Sequence, residues 1–144
     1  MFYFQRLVFV LFLMIFFLSC SNKLQSDEKI IIENFPTFKL SQYRYLYVIP
    51  HDGCGTCIQK SIQFMKDTNN KNVAFLLIDN SKKNINNLLN STNNKKQVIV
   101  DSDLILETFG ITISKPILYT IKGNHFVNKE VIEDYNIDEI LSNI

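Results

Sequence analysis

YRYLYVIPHDGCGTCIQKSIQFM, residues 43–65, is the segment on which the reading of this chain turns. Its first part, YRYLYVI (43–49), is apolar and aromatic on both faces, the pattern of a strand buried in the middle of a sheet. Pro50 breaks the run and HDGCGTC (51–57) follows. Ile58, Ile62 and Met65 then fall at i, i+4 and i+7, one face of a helix that ends near DTNN. Cys54 and Cys57 therefore stand where a buried strand feeds a helix, in a chain with three cysteines in all.

At the start of a helix, positions i and i+3 share a face and are close enough for a disulfide without large backbone movement. The first turn also offers unpaired N–H groups and the positive end of the helix dipole, which stabilise a thiolate at Cys54. Cys57, one turn in, is expected to be more buried and to resolve mixed disulfides. A mere brace is the weaker reading. Closing so short a loop contributes only about 2 kcal/mol on the chain-entropy estimate, against about 4.7 kcal/mol for a 100-residue loop.

Other residues around the pair have more than one reading. His51 reads as a solvated loop residue or as a positive charge near the thiolate. Gly53 and Gly55 permit a tight backbone around an exposed sulfur. A two-Cys, two-His set of Cys54, Cys57, His51 and His125 has a spacing that fits no compact zinc module. Haem attachment requires His directly after the second cysteine, and Ile58 stands there. No metal is expected, and no cofactor beyond the redox-active disulfide itself.

Outward from this segment, the N-terminus decides the redox compartment. After Arg6 an unbroken apolar run extends from Leu7 to Leu18. A membrane-spanning helix needs about 20 apolar residues and an export-signal core roughly 7–15, so the run reads as an export signal. Leu18-Ser19-Cys20 resembles the lipobox of bacterial lipoproteins, in which cleavage precedes a cysteine that then carries lipid. That resemblance implies a mature chain starting at Cys20, anchored to a membrane of the cell envelope and facing the periplasm, where a dithiol can be oxidised and remain so. It also assigns every cysteine: Cys20 to lipid, Cys54 and Cys57 to the motif.

Removing residues 1–19 takes away Arg6 and no acid, leaving 14 basic residues against 14 acidic ones. Near-neutrality excludes nucleic acid or an anionic surface recognised by bulk charge. The length suits one domain with one core. The Asn-rich stretches such as NINNLLNSTNNKK read as composition bias in solvated loops.

Towards the C-terminus, VAFLLID (73–79) reads as a second buried strand, with Ser81 as cap of a helix striped by Ile85, Leu88 and Leu89. QVIVD (97–101) is a short strand, Leu104 to Phe109 a short helix, and Gly110 its stop. PILYTI (116–121), the KGN turn and HFVNKEVI (125–132) form a hairpin. Ile137, Ile140, Leu141 and Ile144 stripe a last helix, with Asp138 and Glu139 in its first turn. The expected class is α/β: a central mixed β-sheet flanked by helices, with the cysteines at the carboxyl end of a strand.

With CGTC and VIVDSDLILETFGITISKPILYTIKGN, residues 40 to 144 resemble the thioredoxin-like fold, in particular the membrane-tethered TlpA/ResA-type thiol-disulfide oxidoreductases. The resemblance implies a signal peptide over 1–19, a lipidated Cys20 and linker over 20–39, and a thioredoxin-like domain over 40–144. It implies that Pro116 is a cis-proline facing the cysteines and that the backbone at Lys115 pairs with a substrate peptide. The sequence also departs from the family. Gly53 replaces the Trp usual before the first cysteine, Val48 the buried acid of thioredoxin, Lys60 the acid some members carry after the motif, and Ile117 the Thr after the proline.

The function expected is lipid-anchored exchange between the Cys54–Cys57 dithiol and protein thiols or disulfides, more as a reductant, fed by a membrane-bound electron donor. One alternative is a copper chaperone holding Cu(I) on Cys54, Cys57 and His125. Another is a binding lipoprotein that keeps the fold without turnover.

Overall fold

A central strand whose side chains are buried alternately to both sides requires two covering layers, and the structure supplies them. This computed structural model describes residues 23–93, 95–111 and 114–144. The export signal over 1–19 and Cys20 lie outside the described residues. The strands are β1 (Tyr45–Ile49), β2 (Val73–Ile78), β3 (Val98–Asp101), β4 (Ile117–Lys122) and β5 (His125–Val131). They form one five-stranded mixed sheet in the order β3-β2-β1-β4-β5. β1, β2 and β3 are parallel neighbours, whereas β4 runs antiparallel to β1 and β5 antiparallel to β4.

The helices are α1 (residues 23–34), α2 (Gly55–Asp67), α3 (Lys82–Ser91), α4 (Ile105–Thr108) and α5 (Ile137–Asn143). Strand periodicity sorts the core into two layers. Leu46 and Val48 of β1, with Ala74, Leu76 and Ile78 of β2, face Ile31 of α1, Phe35, Phe38 and Leu106 of α4. Tyr47, Ile49, Val73, Phe75 and Leu77 face the other way, onto Cys57, Ile58 and Met65 of α2 and Ile137 and Ile140 of α5. Among the described residues no helix is long and apolar enough to cross a membrane.

The turn chemistry works as the residue types dictate. Ser81 caps α3 by accepting from the Asn84 N–H. The buried Asp101 ends β3 and accepts from the Ile105 and Leu106 N–H groups, both at 2.9 Å, which satisfies the first turn of α4. The hairpin between β4 and β5 turns at Gly123, whose φ of +65° favours glycine.

The stretch expected as a linker over 20–39 is corrected by α1. Ile31 is 1% exposed, and Phe35 and Phe38 complete the same layer. Asp27, itself 4% exposed, accepts hydrogen bonds from the Tyr119 hydroxyl at 2.8 Å and Lys129 Nζ at 2.6 Å. Glu28 accepts from the Phe126 N–H at 2.6 Å and meets the His125 ring at 2.9 Å. Burial, then the charge of Asp27 and its hydrogen bond, push the Tyr119 phenol strongly upward, so it stays a neutral donor. The packed domain thus begins well before residue 40. The polar residues of SDEK read as a tether because their partners lie about a hundred positions away on β4 and β5.

Candidate active site

β1 ends at Ile49 in the middle of the sheet, and the chain turns through His51–Gly53 into α2, so the strand's carboxyl end opens onto the helix start. Cys54 is the N-cap of α2, with extended backbone at φ −61° and ψ 98°. Cys57 lies on the first turn. The two are disulfide-bonded with their Cα atoms 5.4 Å apart. Cys57 is fully buried, whereas Cys54 is partly exposed. The outer sulfur is accessible to a partner and the inner one is shielded.

The helix is held down through its polar face as well as its apolar one. The Ser61 hydroxyl donates to the Cys57 carbonyl at 2.6 Å, so its one proton is spent. The buried Tyr47 hydroxyl, 2.6 Å away, therefore donates to Ser61 Oγ. Burial pushes the Tyr47 phenol up to about 12. Since an unfolded tyrosine ionises near pH 10, the stability kept by this neutral phenol is whole below about pH 10 and is lost as pH rises towards about 12. Urea melts of wild type and Tyr47→Phe at pH 9 and pH 11 will measure it. The wild type should lose roughly 1–1.5 kcal/mol more than the variant over that interval.

The loop before β4 meets Cys54 through Ser114. The Ser114 carbonyl accepts from the Cys54 N–H at 2.8 Å, and the Pro116 carbonyl accepts from the Ile132 N–H at 2.9 Å. Lys115 Nζ pairs with Glu133 at 2.9 Å. The expectation of a cis bond at Pro116 is corrected. No peptide bond among the described residues is cis, and Lys115–Pro116 is trans, the form an X–Pro bond favours by default.

Gly53 is required by the backbone that faces it. Its φ is +132°, and a Cβ there would lie 2.0 Å from the Ser114 carbonyl oxygen. Any side chain at residue 53 would drive the proline loop off Cys54. His51 is paired with acids: its Nδ1 is 3.3 Å from the buried Asp79 and its Nε2 is 3.6 Å from Asp52. Lys60 binds both carboxylate oxygens of Asp138, at 2.8 and 2.7 Å, tying α2 to α5. Val48 is fully buried in the layer opposite the cysteines.

The copper set is corrected too. His125 begins β5 beside Lys122, the far end of β4, whereas the cysteines adjoin the near end of β4, where Ile117 pairs with Val48. His125 and the cysteines are thus at opposite ends of the sheet.

One residue at the site was missed from sequence. Asp134 Oδ1 lies 3.3 Å from Cys57 Sγ and 3.7 Å from Cys54 Sγ. Among the described residues, these three are the one group of sulfur, carboxylate or imidazole donors close enough to share an ion, all within 4.8 Å of one another. The sulfurs are bonded to each other, so they are not thiolate ligands. Asp134 is 77 positions from Cys57, in the turn between β5 and α5, and its exposed, acidic surroundings read as an ordinary solvated turn. The turn is well defined. Buried Ile132 and Ile137 anchor its ends, and Asn136 Oδ1 accepts from the Glu133 N–H at 2.8 Å.

No protein-family model matches the sequence, and no curated protein sequence matches it. Among solved structures, the chain is similar to a protein from Chlorobium tepidum assigned as thiol:disulfide interchange protein DsbE, at 14% identity and a TM-score of 0.49, over 72% of this chain and 78% of that one. A thioredoxin-like protein from Bacteroides caccae is similar at 17% identity and a TM-score of 0.44, over 71% of this chain and 41% of that one. A conserved protein of unknown function from Bacteroides fragilis is similar at 15% identity and a TM-score of 0.46, over 71% of this chain and 83% of that one.

Proposed function

We propose that this chain is a thiol-disulfide oxidoreductase of the cell envelope, exchanging the Cys54–Cys57 pair with the thiols or disulfides of protein substrates. The carrying observation is the disulfide itself, set at a strand–helix junction with one sulfur partly exposed and the other buried. Lipid on Cys20 would hold the enzyme near a membrane-bound electron donor, and the Lys115–Pro116 loop would receive the substrate backbone beside Cys54. The direction we favour is reduction. The carboxylate of Asp134 beside both sulfurs disfavours thiolates, and a dithiol whose thiolate is not stabilised is the better electron donor.

A redox titration of the full chain in mild detergent, with free thiols trapped at each point, tests this. The pair should titrate as one reversible two-electron couple with a midpoint below the glutathione range. Cys54→Ser should abolish exchange, and Cys57→Ser should accumulate mixed disulfides. A pair that never titrates, or full exchange by Cys54→Ser, would sink the proposal. A non-catalytic binding protein would form the disulfide but exchange it no faster than a peptide dithiol.

A further inference from the structure

We infer that Asp134 is the proton acceptor for the resolving cysteine, supplied from the turn after β5 in place of an acid on β1. The inference rests on the exchange reading above. In the reductive direction, the Cys54 thiolate attacks a substrate disulfide, forms a Cys54–substrate bond and releases the first substrate thiolate. Cys57 must then lose its proton before its sulfur can attack Cys54 Sγ. A thiol enclosed by apolar side chains gives up that proton reluctantly unless a base takes it. Cys57 is fully buried among Tyr47, Ile58, Ile132 and Ile137, and Val48 on β1 offers no base.

Asp134 Oδ1, 3.3 Å from Cys57 Sγ, is placed to take it. The proton passes from Cys57 to the carboxylate, the Cys57–Cys54 bond forms, and the Cys54–substrate bond breaks. The second substrate thiolate leaves with the electron pair and recovers the proton from Asp134. The protein gives up two electrons and the substrate disulfide gains them. A docked substrate strips water from the site, and in a drier site a carboxylate takes a proton more readily.

The charges around Asp134 leave this role to it. Glu133, its chain neighbour, is paired with Lys115 from the proline loop. Asp138 on α5 is paired with Lys60 on α2. His51 and Asp52, before α2, are paired with each other, and His51 also with Asp79. Of these acids, Asp134 is the one whose oxygen reaches both sulfurs.

Removing the carboxylate has two opposed effects, and pH separates them. The base is lost, which slows resolution where thiols are mostly protonated. The repulsion of thiolates is also lost, which favours resolution where they ionise without help. The test uses the reduced full chain in detergent with oxidised glutathione as the probe disulfide. The lifetime of the Cys54–glutathione adduct is read by acid quench and mass spectrometry from pH 6 to pH 9.5.

Asp134→Asn should lengthen that lifetime about 10- to 100-fold at pH 6–7 and converge with wild type near pH 9. Its midpoint potential should move to a less negative value, which a merely structural role would not produce. Asp134→Glu, which keeps the carboxylate, should restore part of the rate. An Asp134→Asn profile that overlays wild type throughout would overturn the base role and leave the exchange reading standing. A wild type that never forms and resolves the adduct would overturn both.

Discussion

A chain started at residue 40 will lose its cooperative unfolding transition, or melt at least 10 °C below one started at residue 21. The shorter chain lacks Ile31, Phe35 and Phe38, each 7% exposed or less, and with them part of the cover of one sheet face. Burying a large apolar side chain is worth about 1.5–3 kcal/mol, so the three represent roughly 5–9 kcal/mol before the entropy of ordering them is subtracted. That is of the order of a whole domain's net stability, about 5–15 kcal/mol. Truncation also strips Asp27 from the partly buried Lys129 and the buried Tyr119, leaving a cation and a hydroxyl without their acceptor. Thermal melts by circular dichroism on both chains measure the difference. Equal melting temperatures would show that α1 is an ornament and not part of the core.

Gly53→Ala will be far more damaging than Gly55→Ala, although the two glycines flank the same cysteine. At Gly53 the added Cβ meets the backbone of Ser114 at 2.0–2.5 Å, and φ is +132°. The dihedral alone costs about 1–3 kcal/mol for a residue with a side chain. The clash is with backbone, so it is relieved only by moving the proline loop and breaking the bond between the Cys54 N–H and the Ser114 carbonyl. A loss of about 3 kcal/mol or more, and a fall in melting temperature of roughly 10 °C, are expected. Gly55 opens α2, has nothing within 4 Å of an added Cβ and lacks a positive φ. Alanine there should be neutral or stabilise by about 0.4–1 kcal/mol through the unfolded chain. Melts of both variants, with glutathione exchange rates, check the pair; similar losses for the two would count against the contact.

The two variants also mark where local reading stops. Both glycines read alike in HDGCGTC, as permission for a tight backbone. The difference between them is the Ser114 carbonyl, 61 positions from Gly53. The same holds for Trp, whose absence before Cys54 is a departure from a family pattern until the contact with residue 114 is seen. Asp134 follows this rule too: its partners are sulfurs 77 and 80 positions back.

What the sequence determined by itself is the set of features carried by neighbours in the chain. Continuous apolarity on both faces marked β1 and β2 as central strands, because a strand's period of two shows both of its environments within five or six residues. The strand–CxxC–helix order put the cysteines at the start of α2, because i and i+3 there share a face. Ser81 as a cap and Gly110 as a stop were legible for the same local reason. Tertiary structure alone decided that residues 23–34 belong to the core, that His125 is kept from the cysteines, and that an acid after β5 reaches both sulfurs. Each of these is a contact between segments far apart in sequence, and periodicity and spacing encode which face a residue presents but not which distant residue meets it.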